Sequence, residues 1–192
     1  MSNKICIVYH SGYGHTKRQA EAVADGVKSV PGCECRLIPV ADLAPDSTGW
    51  TDLDAADAII FGSPTYMGSV SAEMKKFMEA TSKRWMELKW ADKLAAGFTN
   101  SASRYGDKQH TLLSFLTLAA QHGMVWISLN QMPGNNSSKG SENDINRLGA
   151  FLGAMAQSNA DQGADVCPPD SDLRTAKLLG ERVAKCAQRW NR

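Results

Sequence analysis

The sequence predicts an α/β fold, a doubly wound five-stranded parallel sheet in the order 2-1-3-4-5 with helices on both faces. Five apolar runs, at residues 4–10, 35–40, 57–63, 94–99 and 124–129, have the length and continuous hydrophobicity of strands buried on both sides. Between most of them the apolar spacing switches to a helical period. A chain that alternates strand and helix closes right-handed crossovers onto both faces of one parallel sheet. Its 192 residues, 43% of them apolar, suit a single domain over 1–192.

The first run ends in Tyr9-His10-Ser11-Gly12-Tyr13-Gly14-His15-Thr16-Lys17 and opens a helical pattern. Ser11, Thr16 and the two glycines let backbone N–H groups and hydroxyls converge on an anion at a helix N-terminus. The loop lacks both the P-loop spacing and the third glycine of a dinucleotide fold. It also lacks the cysteine of a Cys-x5-Arg phosphatase and the acidic residues of a response regulator. In the first helix Ala20, Val23, Ala24 and Val27 share a face, and Pro31-Gly32 ends it.

Residues 40–57 are poorly periodic, and a brief helix or turn is expected at 53–56. Met74, Phe77, Met78 and Thr81 mark the next helix; Leu112, Phe115, Leu116 and Ala119 mark another, closed by His122-Gly123. Residues 130–170 break the rhythm with Pro133-Gly134 and Pro168-Pro169, an inserted excursion of the kind that often carries function. Its 146–157 stretch is apolar enough to be partly ordered. Asp172 is the expected N-cap of a last helix whose face is Leu173, Ala176, Leu179 and Val183.

A formal charge of +1 and the lack of any basic run argue against nucleic-acid binding. No apolar run approaches the ~20 residues that span a bilayer, so no membrane insertion and a cytoplasmic location are expected. Five cysteines do not form a secreted disulfide framework, and Cys33-x-Cys35 lacks further ligands at metal spacing. No metal is expected.

In doubly wound sheets ligands sit at the carboxyl ends of the strands. There the sequence places the phosphate loop, a glycine-bounded loop at 62–69 and a polar loop at 99–106. A phosphate cradle, an aromatic and thioether wall from Tyr66 and Met67, and a backbone-rich edge suit a flat heteroaromatic ring carrying one phosphate. FMN fits that description better than a nucleotide.

The segments Ser11-Gly12-Tyr13-Gly14-His15-Thr16, Ser63-Pro64-Thr65-Tyr66-Met67-Gly68 and Gln121-His122-Gly123-Met124 resemble the WrbA-type NAD(P)H:quinone oxidoreductases of the flavodoxin-like superfamily. The likeness runs from residue 4 to about 129. It implies a flavodoxin-like fold, bound FMN, NADH or NADPH as electron donor, a quinone as acceptor, and a homodimer or homotetramer. By this resemblance Ser11, Gly12, Tyr13, Gly14, His15 and Thr16 hold the FMN phosphate. Pro64, Thr65, Tyr66, Met67 and Gly68, with Asn100, Ser101, Ala102, Ser103, Arg104, Tyr105 and Gly106, contact the isoalloxazine. Tyr13, Trp85 and His122 position the ring partners, and His122 reaches the flavin. Two departures stand out: Tyr66-Met67 replaces an Arg-Phe pair, and Arg104 and Tyr105 interrupt a glycine-rich third loop.

Each position has a plainer role as well. His122 fits a helix-end cap, Trp85 fits core or interface packing, and His15 can act through its backbone N–H alone. The expected chemistry is a ping-pong exchange through one shared flavin face. The same fold also serves electron carriers and flavin-binding interaction proteins. Lys17, Arg18, Arg104 and Lys108 against Asp107 make a basic mouth in the sequence, which favours an anionic nicotinamide cofactor over a carrier's role.

Overall fold

Alternation along the first strand builds two cores at once. Ile5, Ile7 and Tyr9 pack into one apolar cluster with the faces of the first and last helices, while Cys6 and Val8 join a second cluster on the other side. In the computed structural model, which describes residues 2–190, the strands are β1 (Asn3–Tyr9), β2 (Cys33–Pro39), β3 (Ala58–Tyr66), β4 (Ser69–Val70), β5 (Leu94–Ser101), β6 (Val125–Trp126) and β7 (Ala154–Gln157). The helices are α1 (His15–Lys28), α2 (Thr48–Ala55), α3 (Ala72–Ala80), α4 (Ser82–Met86), α5 (Lys108–Gln121) and α6 (Asp170–Trp190). Helices α1 and α6 cover one face of the sheet, and α2, α3 and α5 the other.

The parallel α/β arrangement is as expected, but the five-strand count is corrected to seven, in the order β2-β1-β3-β5-β6 with β4 on β3 and β7 on β5. The expected fifth strand is divided. β6 pairs with Leu94 and Ala95 at one end of β5, and β7 pairs with Phe98 to Ser101 at the other. The excursion leaves the sheet between them, so the edge position is filled twice by short pieces. Likewise β3 runs three residues beyond its expected end and folds back on β4, turning at Met67 and Gly68, both at positive φ (47° and 81°) as a two-residue hairpin requires.

Three helix boundaries differ as well. α2 begins at Thr48, where Gly49 and Trp50 are already buried, and α4 forms in a stretch without apolar periodicity. α6 begins at Asp170, so Asp172 sits inside its first turn and not at its cap. There Asp172 is buried and grips Arg147 of the excursion, Oδ1 to Nε and Oδ2 to Nη2, both at 2.8 Å. Asn146 adds bonds to Gln131 O and Ala150 O, and its N–H reaches Thr175 on α6. Among the described residues no helix is long and apolar enough to cross a membrane.

Helices α1 and α6 touch backbone to backbone. A Cβ on Gly26 would lie 1.9 Å from Lys177 O, and one on Gly180 would lie 2.0 Å from Val23 O. Neither neighbour is a side chain that can swing aside. Gly26→Ala and Gly180→Ala should therefore each lower unfolding stability by about 1–3 kcal/mol or more, read from urea unfolding midpoints; an unchanged midpoint would mean the helices can separate freely.

Candidate cofactor site

A cavity of about 740 Å³ opens at the carboxyl ends of β1, β3 and β5, within the range of cofactor pockets, roughly 300–1,000 Å³. Its first wall is the loop into α1. Gly14 is the N-cap at φ 88°, and the first turn holds no acidic residue. The Lys17 N–H bonds the Ser11 hydroxyl at 3.1 Å and the Arg18 N–H bonds Gly14 O at 3.0 Å. The N–H groups of His15 and Thr16, and the Thr16 hydroxyl, keep no partner among the described residues and lie on the cavity wall. That is an anion seat at the positive end of a helix.

Tyr13, His15 and Thr16 face the cavity, whereas Ser11, Gly12 and Gly14 frame the loop behind them. A Cβ on Gly12 would come within 2.6 Å of the Tyr66 hydroxyl oxygen, and one on Gly14 within 2.9 Å of Ala164 Cβ. The two glycines let other loops approach. His15 also does more than offer its backbone: its Nε2 contacts Gln162 O at 2.8 Å, which ties the excursion to α1.

The second wall is the β3–β4 hairpin, with Pro64, Thr65, Tyr66, Met67 and Gly68 all lining the cavity. Thr65 shares hydroxyl bonds of 2.8 Å with Thr99 and with Thr111, which locks β3 to β5 and α5. Tyr13 meets Tyr66 edge to face at 6.3 Å. Burial, and then neighbouring Tyr13, push the Tyr66 phenol above its ordinary pKa, so it stays protonated at neutral pH. Met67 is fully exposed at the turn.

The third wall is the 100–106 loop, where Asn100, Ser101, Ala102, Ser103 and Gly106 line the cavity. Asn100 Oδ1 accepts from the Ser158 hydroxyl at 2.9 Å. Arg104 turns away to pair with Glu142 of the excursion, and Tyr105 projects into solvent; their side chains are not part of the wall. Beneath the loop lies Lys108, 1% exposed, whose ammonium donates to Ser101 Oγ (2.9 Å), Ser103 O (2.7 Å) and Arg104 O (2.9 Å).

The basic mouth read from sequence is corrected accordingly. Lys108 is buried, Arg104 is paired with Glu142, the Arg18 guanidinium donates to Ala164 O at 2.7 Å, and Lys17 lies 4.0 Å from Glu21. The excursion supplies acceptors that neighbouring sequence does not reveal. The acidic side chain on the cavity wall is Asp107.

A fourth wall, which sequence reasoning left unassigned, comes from Ser158, Ala160, Gln162 and Gly163. Its only sequence signal was a polar, glycine-containing run inside an excursion. Two expected site residues lie elsewhere. His122, 1% exposed, bonds Thr81 Oγ1 through Nε2 at 2.9 Å and packs on Trp90 at 4.7 Å. Helix α5 starts at the cavity and carries His122 past its far end, about 20 Å away at 1.5 Å per residue. Because the Thr81 hydroxyl donates to Met78 O, its oxygen accepts from His122 Nε2–H. Nδ1 is then a buried lone pair without a partner among the described residues, and burial lowers the pKa of the ring. Trp85 is half-exposed on α4 and does not line the cavity. Of the three positioning residues expected, Tyr13 alone does so.

These walls fit FMN. One end offers unpartnered N–H groups and a hydroxyl for a phosphate, one edge is polar backbone, and one flank is aromatic. Two predictions follow the geometry. Gly14→Val, which forces a branched side chain against Ala164 at φ 88°, should weaken FMN binding at least tenfold while the apo fold survives, as read by fluorescence titration and circular dichroism. Burial lowers the Lys108 pKa from 10.5 to about 8, so between those values the unfolded chain holds more protons than the folded one. Stability relative to Lys108→Met should therefore rise by on the order of 3 kcal/mol from pH 8 to pH 10.5; a flat difference across urea titrations would show the ammonium to be unperturbed.

Residues 10–138 match the model of the NADPH-dependent FMN reductase family. Flavodoxin FldP of Pseudomonas aeruginosa is 47% identical over 97% of each chain. NAD(P)H dehydrogenases (quinone) of Geobacter sulfurreducens and Archaeoglobus fulgidus are 32% and 33% identical, over 97% of this chain and 98% of theirs. The crystal structure of a flavodoxin, WrbA-like protein from Agrobacterium tumefaciens superposes with a TM-score of 0.75 at 43% identity, covering 98% of this chain and 99% of that one. The family match spans more than half of the chain and the relatives run its whole length, so this oxidoreductase belongs to the NADPH-dependent FMN reductase family and has its flavodoxin-like fold.

Proposed function

We propose that this protein is an FMN-dependent NAD(P)H:quinone oxidoreductase. The observation that carries the reading is the single open cavity in which an anion seat, a polar edge and an exposed aromatic rim meet. Relatives over the full length named NAD(P)H dehydrogenase (quinone) support it. Bound FMN supplies a two-electron centre able to take hydride from a nicotinamide and release two electrons to a quinone.

The chain's own residues bind and orient. The backbone of His15 and Thr16, with the Thr16 hydroxyl, holds the phosphate. Ser101, Ala102, Ser103 and Gly106 present backbone to the pyrimidine edge, and Tyr66 and Pro64 cover the ring. Tyr13 and Met67 at the rim guide a flat partner onto the remaining face. With one opening for both partners, donor and acceptor take turns. No histidine is needed at the ring: His122 is buried at the other end of α5, and the open mouth gives protons access from water.

A second reading, an electron carrier, draws support from the 47% identity to a protein named flavodoxin and from the burial of Lys108 and the pairing of Arg104 with Glu142, which take two basic side chains out of the mouth. The two differ in what reduces the cofactor. Anaerobic NADPH or NADH should bleach the flavin bands and benzoquinone should restore them, with parallel initial-rate lines. Bands that resist both nucleotides would leave the carrier, and intersecting lines would end the shared-face scheme. Exposed Trp85, Met86 and Leu88 beside one another in the chain support a homodimer or homotetramer as the assembled form. Light scattering on the purified protein tests this, and a monomer at micromolar concentration would refute it.

A further inference from the structure

The third loop has an uneven hydrogen-bond balance. The carbonyls of residues 101–105 are all occupied: Ser101 O accepts from Ser158 N–H (3.1 Å), Ala102 O from Gln157 Nε2 (3.0 Å), Ser103 O and Arg104 O from Lys108 Nζ, and Tyr105 O from Lys108 N–H (3.4 Å). The N–H groups of Ser103, Arg104, Tyr105 and Gly106 have no acceptor among the described residues. Two of these residues, Ser103 and Gly106, lie on the cavity wall. With its acceptors drawn inward, the loop is left with a surplus of donors.

The residue that does most of this is also a charge. Lys108 has no ion pair among the described residues. The nearby Arg147 and Asp172 are joined to each other, which leaves the Lys108 ammonium as the buried unpaired charge behind the wall, with the neighbouring Asp107 carboxylate on the wall's surface. A buried cation in a low-dielectric setting acts at longer reach than one in water.

We propose that Lys108 is a positioning residue that turns the third loop into a set of hydrogen-bond donors for the pyrimidine edge of FMN and favours the reduced, negatively charged form of the cofactor over the oxidised one. The proposal rests on the FMN reading of the cavity. A hydride carries two electrons and one proton, so its arrival adds one net negative charge to the cofactor, and its departure as two electrons and a proton removes that charge. Donors and a fixed cation at the edge where the charge collects bind the reduced state more tightly.

The test compares wild type with Lys108→Met, of similar length but uncharged, and with Lys108→Arg, which keeps the charge while disturbing the bonds. For each, FMN affinity is titrated and the two-electron midpoint potential of the holoprotein is measured by spectroelectrochemistry. Lys108→Met should lose about tenfold more affinity for reduced than for oxidised FMN, a fall in potential of about 30 mV for two electrons. Lys108→Arg should bind more weakly but keep a potential near that of wild type. Equal weakening of both redox forms in Lys108→Met would reduce Lys108 to a structural strut and overturn the proposal, as would an equal fall in potential for Lys108→Arg. If Lys108→Met does not retain FMN, Lys108→Gln, which is uncharged but keeps a donor for the loop carbonyls, takes its place with the same fall in potential expected; an unchanged potential there would overturn the proposal. A wild type that takes up no FMN would instead overturn the reading of the cavity, and the proposal with it.

Discussion

The buried pair between Arg147 and Asp172 is the interaction on which the site depends. Asp172 uses both oxygens on the guanidinium and also accepts the Gln157 N–H at 2.9 Å. One carboxylate on α6 therefore fixes both the excursion at Arg147 and the end of β7 at Gln157. From β7 the chain passes to Ser158, which reaches Asn100, and to Gln162, whose carbonyl meets His15. Removing Arg147 would leave the buried Asp172 carboxylate without a cation, a loss of roughly 3–5 kcal/mol, and would release the fourth wall of the cavity along with it; removing Asp172 would leave Arg147 held by Glu142 alone.

This arrangement also explains why charge near the cavity behaves differently from charge in the sequence. Arginines and lysines that cluster along the chain are drawn into structural work by acceptors of the excursion and of the third loop itself: Glu142 takes Arg104, Ala164 O takes Arg18, and the carbonyls of Ser103 and Arg104 take Lys108. What faces a ligand is mostly backbone N–H, hydroxyl and aromatic edge. Such a surface recognises phosphate and a flat polar ring through fixed dipoles rather than through free cations, and fixed dipoles need no reorganisation when charge appears.

Helix direction separates the residues that the resemblance grouped. In a parallel sheet the intervening helices run antiparallel to the strands, so each starts near the carboxyl edge and ends at the opposite edge. Lys108 and His122 bracket one such helix, and only the first can act at the cavity. His122 instead closes a buried cluster with Thr81 and Trp90, while Trp90 Nε1–H donates to Asp54 at 2.8 Å.

The parallel sheet, both apolar faces and the first three walls were legible in the sequence, because each rests on local pattern: continuous apolar runs, the i, i+3, i+4 spacing of Val23 and Leu112, and glycines bounding short loops. Tyr13, Thr16, Thr65, Tyr66 and Asn100 could be placed at the site from position alone, since a residue at the carboxyl end of a parallel strand has nowhere else to be. Ser158 and Gln162 could not, nor could the inward turn of Lys108, the pairing of Arg104 or the distance of His122. All but the turn of Lys108 depend on contacts across 38 to 147 positions of chain, and a linear pattern does not record which distant donor will meet which acceptor; Lys108 bonds only 4 to 7 positions away, but a periodic pattern does not tell a lysine that folds under its own loop from one that faces water. Local periodicity decided the elements and their order; only the closing of the excursion onto α6 and α1 decided which side chains were left to face a ligand.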